Sequence, residues 1–579
     1  MGLCSSYSHL VLVLKRLAKV LEEQLKSDAQ NHPMKLTIDN FNKLIGVRDG
    51  SSIRQAYQNN STGGYASSVR GMPHGMKMIP REWLQSGARR RLSPRDLRPS
   101  KEAFDYMRKF NEFYTVKILK DECPDLPVGD DEFQRPLVEV LKIQPTNIYP
   151  VELMDIEQQS IDGNLKGILK LLTEALGCTS EQLMTGLFLI GGDQLLVDRV
   201  RSIQLLRATD VPGEDFRFIV TLLGPFHTLM NKKKLIMRHH LGKANETGSL
   251  MSFNRVLKRD RKIDDQAKDL WACMDLTRDS LDSLLLGLLI AETGKEYATY
   301  TSFKADVISG EVDWRHLVKK MCLKFTYTYV RKLRIQDESK RDRVHENILL
   351  FSRQELEFRA FYTSMRKGDV GAMELLLQIW CPQFLAGQQT KYGNELFDIR
   401  CGMLAEWSKE LKQVVRSNWV INPWGKTDKW LALDEMMEEL VRALKEQFNP
   451  GGSDDQDKFT RETIARCIIY FMAIKDDMRR ALGLRRRGGN HVKRDKKPDI
   501  RMLLNELLKN KIVFIVEGRG MPMSEEGTIG EVKDLYCNGL IRLVDGKYWR
   551  DMLLRTPGCD EAVEVLGDPG EFSSSSDED

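Results

Sequence analysis

Four apolar side chains stand in a row at Leu187-Phe188-Leu189-Ile190, bounded by Gly186 and by Gly191-Gly192-Asp193. A strand with one wet face alternates polar and apolar residues, so an unbroken apolar run of this length reads as a strand buried on both faces. A helical pattern follows over about 194–208. A second apolar run, Phe216 to Leu223, then ends at Gly224-Pro225. Strand, helix and strand in succession predict an α/β sheet.

Around this unit the 579 residues divide by pattern. Leu10, Val13, Leu14, Leu17, Val20, Leu21 and Leu25 recur at helical spacing and predict a helix over 7–28, within an N-terminal helical segment 1–33. After His32-Pro33, Met34 to Ile38 reads as a short strand ending at Asp39-Asn40. The glycine-rich stretch 58–75 suggests a hairpin around Gly63-Gly64, with Tyr65 to Val69 as a strand. An α/β core over 34–230 would contain a basic loop at about 79–100. Residues 231–430 form a helical insertion, and 431–483 supply helices closing the core. A basic linker (484–499), a C-terminal helical region (500–560) and an acidic tail (561–579) complete the order. The expectation is a mixed sheet interrupted by a large all-helical insertion, in a chain predominantly helical overall.

Composition removes several function classes. No run of 18 apolar residues is present, so no membrane span and no membrane partner are expected. The N-terminal apolar stretch is short and broken by Lys15, Arg16 and Lys19, unlike a signal peptide. MGLCSS fits a myristoylation pattern, but Ser5 and Ser6 also serve as helix caps. The ten cysteines are scattered singly with no C-x-x-C pair, which argues against structural zinc and a disulfide scaffold and favours a reduced compartment. No phosphate-binding Walker loop, G-x-S-x-G elbow or H-E-x-x-H motif occurs.

Net charge is only +5, but the basic residues cluster. Arg89, Arg90 and Arg91, with Arg95 and Arg98 beyond, form one group, and Lys232, Lys233 and Lys234 another. Both are candidate DNA phosphate contacts. The two-part run 485–497 is spaced like a bipartite nuclear-import signal, so a nuclear location is favoured over a cytoplasmic one. Its other reading is a solvated linker.

Three carboxylates carry the chemistry. Asp39 ends one strand, Asp193 ends the buried strand, and Glu438 lies on a late helix with Asp434 one turn before it on the same face. Carboxylates at strand ends are fixed by the sheet and point into a crevice. Such hard oxygen ligands suit Mg²⁺ or Mn²⁺, and paired metals clamp the attacking and leaving oxygens of a phosphoryl displacement. Each residue also has a plainer reading: Asp39 as a turn residue, Asp193 as a helix cap, Glu438 as a solvated helix glutamate. Gln194 follows Asp193 directly. His227, after the second strand, shares a helix face with Asn231, while His239-His240 reads as an exposed, basic-flanked pair.

The blocks GLCSSYSHLVLVLKRLA, LTIDNFN, IYPVELMDIEQQSIDGNL, LIGGDQLLVDRVRSIQLLRA, FHTLMN, YGNEL and DEMMEELV resemble an uncharacterised family abundant in mushroom-forming fungi and known only as a domain of unknown function. That resemblance runs from about residue 2 to about 520. The order of features is more weakly similar to the ribonuclease-H-like cores of cut-and-paste DNA transposases of the hAT and Mutator groups, which carry a helical insertion. This second resemblance implies catalytic and metal-binding roles for Asp39, Asp193 and Glu438, with Glu395 and Asp434 as rivals for the third position. It implies supporting roles for His227, Asn231 and Gln194. At the last motif the chain reads Glu438-Glu439-Leu440-Val441, where those transposases have Glu-His-Leu-Asn.

Two functional readings follow. One is a metal-dependent, transposase-like DNA nuclease or strand-transfer protein, or its domesticated remnant. The other is a non-catalytic module that binds DNA or protein and keeps the fold. An oligomer is compatible with either. A third possibility, a helical scaffold with unrelated acidic residues, predicts no sheet joining strands 35–39 and 187–190.

Overall fold

The computed structural model describes residues 6–45, 57–129, 131–156, 160–295, 297, 300–447, 458–484, 495–520, 523–524, 527–528 and 532–555. Helices account for 60% of the chain and surround a small mixed sheet. Most of the basic run 485–497 and the whole tail 561–579 lie outside the described residues.

Five of the six strands of the sheet are β1 (Met34–Ile45), β2 (Tyr57–Ser68), β3 (Ile148–Pro150), β4 (Gly186–Gly192) and β5 (Ile219–Leu223). Their spatial order is β3-β2-β1-β4-β5. β1 and β2 run antiparallel, as do β2 and β3; β4 lies parallel to β1, and β5 parallel to β4. The two-residue strand Ile79–Pro80 pairs with the start of β4. Strands 35–39 and 187–190 therefore share one sheet, which removes the scaffold possibility.

Two strand readings need correction. β1 does not stop at Ile38 but continues to Ile45, so Asp39 sits inside it. Gly63-Gly64 is not a turn: β2 runs straight through it, with Gly63 opposite Asp39 and Gly64 opposite Ile38. The glycines serve close approach instead. A Cβ on Gly64 would lie 2.8 Å from the Thr37 carbonyl oxygen, and one on Gly63 would lie 2.9 Å from Leu153 Cδ2 and 3.2 Å from Met437 Cε.

Helices α1 (Tyr7–Asn31), α2 (Lys101–Glu122), α3 (Ile161–Lys170) and α4 (Gln194–Leu206) precede or weave through the sheet. Because side chains alternate along a strand, Leu36 and Ile38 point to one face of it and Thr37 and Asp39 to the other. The first face joins Ala66 and Ile190 in an apolar cluster with Leu25 of α1, Ile168 of α3 and Leu196 and Val200 of α4. Gly192 permits that packing, since a Cβ there would meet Leu196 Cδ2 at 2.4 Å and the Ile38 carbonyl oxygen at 2.7 Å.

The chain then becomes helical: α5 (Pro225–His240), α6 (Leu270–Glu292), α7 (Arg343–Lys367), α8 (Val370–Ala386) and α9 (Thr390–Cys401) lead to α10 (Leu433–Lys445). A short antiparallel pair, Val420–Ile421 with Leu431–Ala432, interrupts the helices just before α10. α10 covers the second sheet face. Met437 and Leu440 join Phe41 and Tyr65 in a separate core, and the Tyr65 hydroxyl donates to the Leu433 carbonyl oxygen at 2.8 Å.

After α11 (Ala465–Ala481), α12 (Lys497–Lys509) packs on α6 and α13 (Leu535–Leu543) packs on α8. Gly539 in α13 is the point of closest approach, where a Cβ would lie 1.8 Å from the Pro382 carbonyl oxygen. Backbone meets backbone there, so nothing can rotate away. Gly539→Ala is expected to destabilise the protein by about 1–3 kcal/mol and to expose the C-terminal helices to protease first. Urea melts and limited proteolysis test this; an unchanged melt and digestion pattern would refute the packing.

Candidate functional site

The pairing of β1 with β4 sets the site. Thr37 lies opposite Gly191, the last pair of that register, and Asp39 and Asp193 each follow two residues on, near enough for Asp193 to act on the Asp39 carboxyl. Gly63 opposes Asp39 on the other side with no side chain to crowd it. Leu433 lies against Gly191, where a Cβ would meet Leu433 Cδ1 at 2.7 Å, and this contact seats the start of α10 over the strand ends. Asp434 and Glu438 follow on α10, one turn apart on a common face.

His227 joins the two. Its Nδ1 lies 2.9 Å from Asp434 Oδ2 and its Nε2 lies 3.3 Å from Glu438 Oε1. The same Asp434 carboxylate accepts the backbone N–H groups of Phe226 at 3.0 Å and His227 at 2.8 Å. It therefore caps the first turn of α5 from another helix, because the local cap residue, Gly224, has no side chain to offer. Gly224 is also why the carboxylate fits: a Cβ there would sit 2.3 Å from Asp434 Oδ2. Asn231, on the same face as His227, donates to the His227 carbonyl oxygen at 2.9 Å.

Electrostatics show how tightly the acidic groups are drawn together. Burial, followed by repulsion from Asp193 and then Glu438, raises the Asp39 carboxyl to about 7. Burial works against a charged His227, but hydrogen bonds to Asp434 and Glu438 outweigh it and raise the imidazole to about 11. The His227 contact is in turn the main cause that lowers Glu438 below the ordinary carboxylate value. Two helix N-termini, those of α4 and α5, open at this point and favour negative charge there.

Asp193 is also the helix cap anticipated as its plainer reading: Oδ1 accepts the Leu196 N–H at 2.9 Å, leaving the second oxygen unused by that bond. Asp39 Oδ1 accepts the neighbouring Asn40 N–H at 2.7 Å. Gln194 is buried in the first turn of α4. Among the described residues no group of three or more His, Cys, Asp or Glu side chains is placed to hold a metal ion. The three carboxylates interact through space while Glu438 is engaged by His227.

Other candidates lie elsewhere. Glu395 is buried on α9 and pairs with Arg201 at 2.8 Å, within a network that includes Asp398, Arg89 and Glu406. Its charge is spent in holding α9 to α4. Arg89 is not a surface residue, since it sits between Asp398 and Glu406 at 2.5 and 2.7 Å. Lys232 and Lys233 are fully buried on α5, facing Glu357 at 3.2 Å and Glu355 at 2.5 Å. These three cations are already neutralised inside the protein and are removed from the set that can reach a phosphate. Arg90 and Arg91 are exposed, and Lys234 is half-buried. His240 is buried against Gln354 rather than exposed.

Two participants escaped the sequence reading. Asp434 entered only as a rival to Glu438, yet it organises the site; its i, i+4 spacing to Glu438 was the available signal. Tyr392, in the YGNEL block, is raised above its ordinary value by burial and then by the fields of Asp193 and Asp434.

Two predictions follow from this geometry. Between pH 3.8 and about 7 the folded protein holds the Asp39 proton more tightly than the unfolded chain does, so the stability from Asp39 is complete below pH 3.8 and lost as pH rises through about 7. Asp39→Asn should therefore gain on the wild type across that window, by on the order of 1–3 kcal/mol at pH 8 relative to pH 4. Urea melts at both pH values decide it, and a pH-independent difference would refute the repulsion. Asp434→Asn turns an amide toward two N–H donors and should cost about 1–3 kcal/mol, with hydrogen exchange rising first at Phe226 and His227. Uniform exchange changes across α5 would argue against the cap.

No curated protein and no solved structure matches the chain. A family model described as a family of unknown function, DUF6589, matches residues 86–491, a shorter span than the 2–520 anticipated. Asp193, His227, Asp434 and Glu438 fall inside that span and Asp39 before it. With well over half of its 579 residues matched, the chain belongs to the DUF6589 family.

Proposed function

We propose that the mixed sheet is a ribonuclease-H-like core and that the chain is a transposase-like, metal-dependent phosphoryl-transfer protein acting on DNA. The observation that carries this reading is the meeting of Asp39, Asp193 and Glu438 where β1, β4 and α10 converge, with Asp39 pushed up to about 7 by burial and the other two carboxylates. The strand order β3-β2-β1-β4-β5, with β4 and β5 parallel to β1, supports the core assignment.

Carboxylate oxygens are the hard ligands that Mg²⁺ or Mn²⁺ takes, but the described side chains form no ready group of three for the ion, so this reading requires Glu438 to leave His227. Asp39, Asp193 and Glu438 would hold the ion, and when bound it supplies charge neutralisation and activation of an attacking oxygen. Asp434 holds His227 against Glu438 and so fixes where the third carboxylate stands. Arg90, Arg91, Arg95 and Arg98 are exposed in the segment following Ile79–Pro80. That segment is anchored at the start of β4, so roughly 20 Å of strand separates the anchor from Asp193. A duplex entering the site spans such a distance in about six base pairs and would meet those arginines through its phosphates.

A specific observation favours the second reading, a DNA- or protein-binding module without catalysis. Glu438 is engaged by His227, and Glu439 and Val441 stand where the transposase motif has His and Asn. The experiment is cleavage of labelled DNA in Mg²⁺ or Mn²⁺ by wild type, Asp193→Asn and Glu438→Gln, with DNA binding measured in parallel. Catalysis predicts cleavage that falls at least ~10²-fold in each variant. Salt-dependent binding with no cleavage by the wild type would leave the non-catalytic reading standing.

A further inference from the structure

Both ring nitrogens of His227 face carboxylate oxygens, Nδ1 at 2.9 Å from Asp434 Oδ2 and Nε2 at 3.3 Å from Glu438 Oε1. An ionised carboxylate only accepts, so a ring that donates at both ends carries two protons and a positive charge. The protein has thus set a cation of its own against the carboxylate that the metal reading needs as its third ligand. As folded, the acidic groups are not a cation site: among the described residues no three His, Cys, Asp or Glu side chains are placed to hold a metal ion.

The two ends of this bridge are held differently. The Asp434 side chain is only 3% exposed, and it also accepts the backbone N–H groups of Phe226 at 3.0 Å and His227 at 2.8 Å. The His227 carbonyl oxygen accepts from Asn231 at 2.9 Å. Ring and backbone of His227 are therefore tied to one buried carboxylate, which would be stranded if the ring swung away. Glu438 is the loose end. Its side chain is 46% exposed, and an ion pair so open to water holds weakly. The helix beneath it stays put, since Met437, Leu440 and Val441 are core residues. What remains free is the set of side-chain torsions of Glu438, whose rotation needs no shift of α10. Asp39 and Asp193 each spend one oxygen on a backbone N–H, of Asn40 and of Leu196, and each keeps its second oxygen outside that bond.

We infer, on the metal reading of this site, that His227 is a latch: it holds Glu438 out of a common group with Asp39 and Asp193, and a divalent ion is bound only when Glu438 turns from the imidazole to join them. His227 is a positioning residue, acting through Glu438, and Asp434 keeps it in place. An incoming ion competes with the imidazolium for one carboxylate, so freeing that carboxylate tightens the site.

The test separates the two ring nitrogens. In His227→Asn the amide N–H₂ stands where Nδ1 does and keeps the bond to Asp434, while nothing reaches Glu438. In His227→Gln the longer amide reaches the place of Nε2 and keeps Glu438 engaged. Mn²⁺ binding to the full chain is read from the free-ion signal in electron paramagnetic resonance, with thermal melts of each metal-free protein alongside. His227→Asn is expected to bind Mn²⁺ roughly tenfold more tightly than the wild type, and adding Glu438→Gln should abolish the gain. His227→Gln should change the affinity less than about threefold. Equal tightening in both His227 variants would make the lost positive charge the cause and overturn the latch. Histidine-selective ¹⁵N spectra of the wild type with added Mg²⁺ need no variant to fold: the His227 Nε2–H signal should move while the Nδ1–H signal stays. A static Nε2–H signal in a protein that binds the ion overturns the latch. So does a wild type that binds Mn²⁺ as tightly as His227→Asn, or more tightly, and these outcomes leave the metal reading standing. No Mn²⁺ binding by either protein overturns the metal reading itself and the latch with it.

Discussion

The seating of α10 on the sheet is the interaction on which the rest depends. Leu433 presses against Gly191, the Tyr65 hydroxyl bonds to the Leu433 carbonyl oxygen, and Asp434 closes the first turn of α5. These contacts join parts of the chain separated by more than 200 residues. Each needs a missing side chain: Gly191 for Leu433, Gly224 for Asp434, Gly63 for Met437. Once seated, α10 has no freedom in where it presents Glu438, because one turn of helix carries it from Asp434 to the edge of His227. The helical stretch between α5 and α10 can be long without blurring the site, since α5 and α10 are bonded to each other.

The site itself is held under electrostatic tension. Asp39 lies within β1 and Asp193 caps the helix that leaves the neighbouring strand β4, and both are half-buried. Two devices offset the repulsion. Helix N-termini open onto the cluster, and the imidazolium of His227 sits between Asp434 and Glu438. A protein selected only for stability would place apolar residues here. Groups held in mutual repulsion by the surrounding fold are where binding or chemistry is ordinarily found.

Elsewhere charge is used differently. Lys232 and Lys233 look like a surface basic cluster in sequence, yet both are fully buried and paired with Glu357 and Glu355 of α7. Arg89 and Arg201 share Asp398 and bind Glu406 and Glu395 in the same way. Buried pairs of this kind add little net stability over apolar packing, but removing one member strands the other in a dry interior. They define which helix meets which. Lys35 has a different neighbourhood: its amine bonds to Asn418, and burial together with nearby Arg70 lowers it to about 7.

The buried strand 187–190, the strand–helix–strand unit and the helical character beyond 228 were all legible in sequence, because each follows from local periodicity and turn chemistry. Asp39, Asp193, Glu438 and His227 were legible as candidates because strand ends and helix faces are local features too. What only the tertiary structure decided was their company. Register placed Asp39 inside β1 beside Asp193, distant packing turned Gly63-Gly64 from an expected turn into a contact point, and Asp434 became the organiser of His227. Tertiary packing also decided which cations are surface and which are core, since a lysine reads the same in sequence whether water or a glutamate from a helix 120 residues away surrounds it. Local pattern determines which elements form; the complementary shapes and charges of distant segments determine which of their side chains meet.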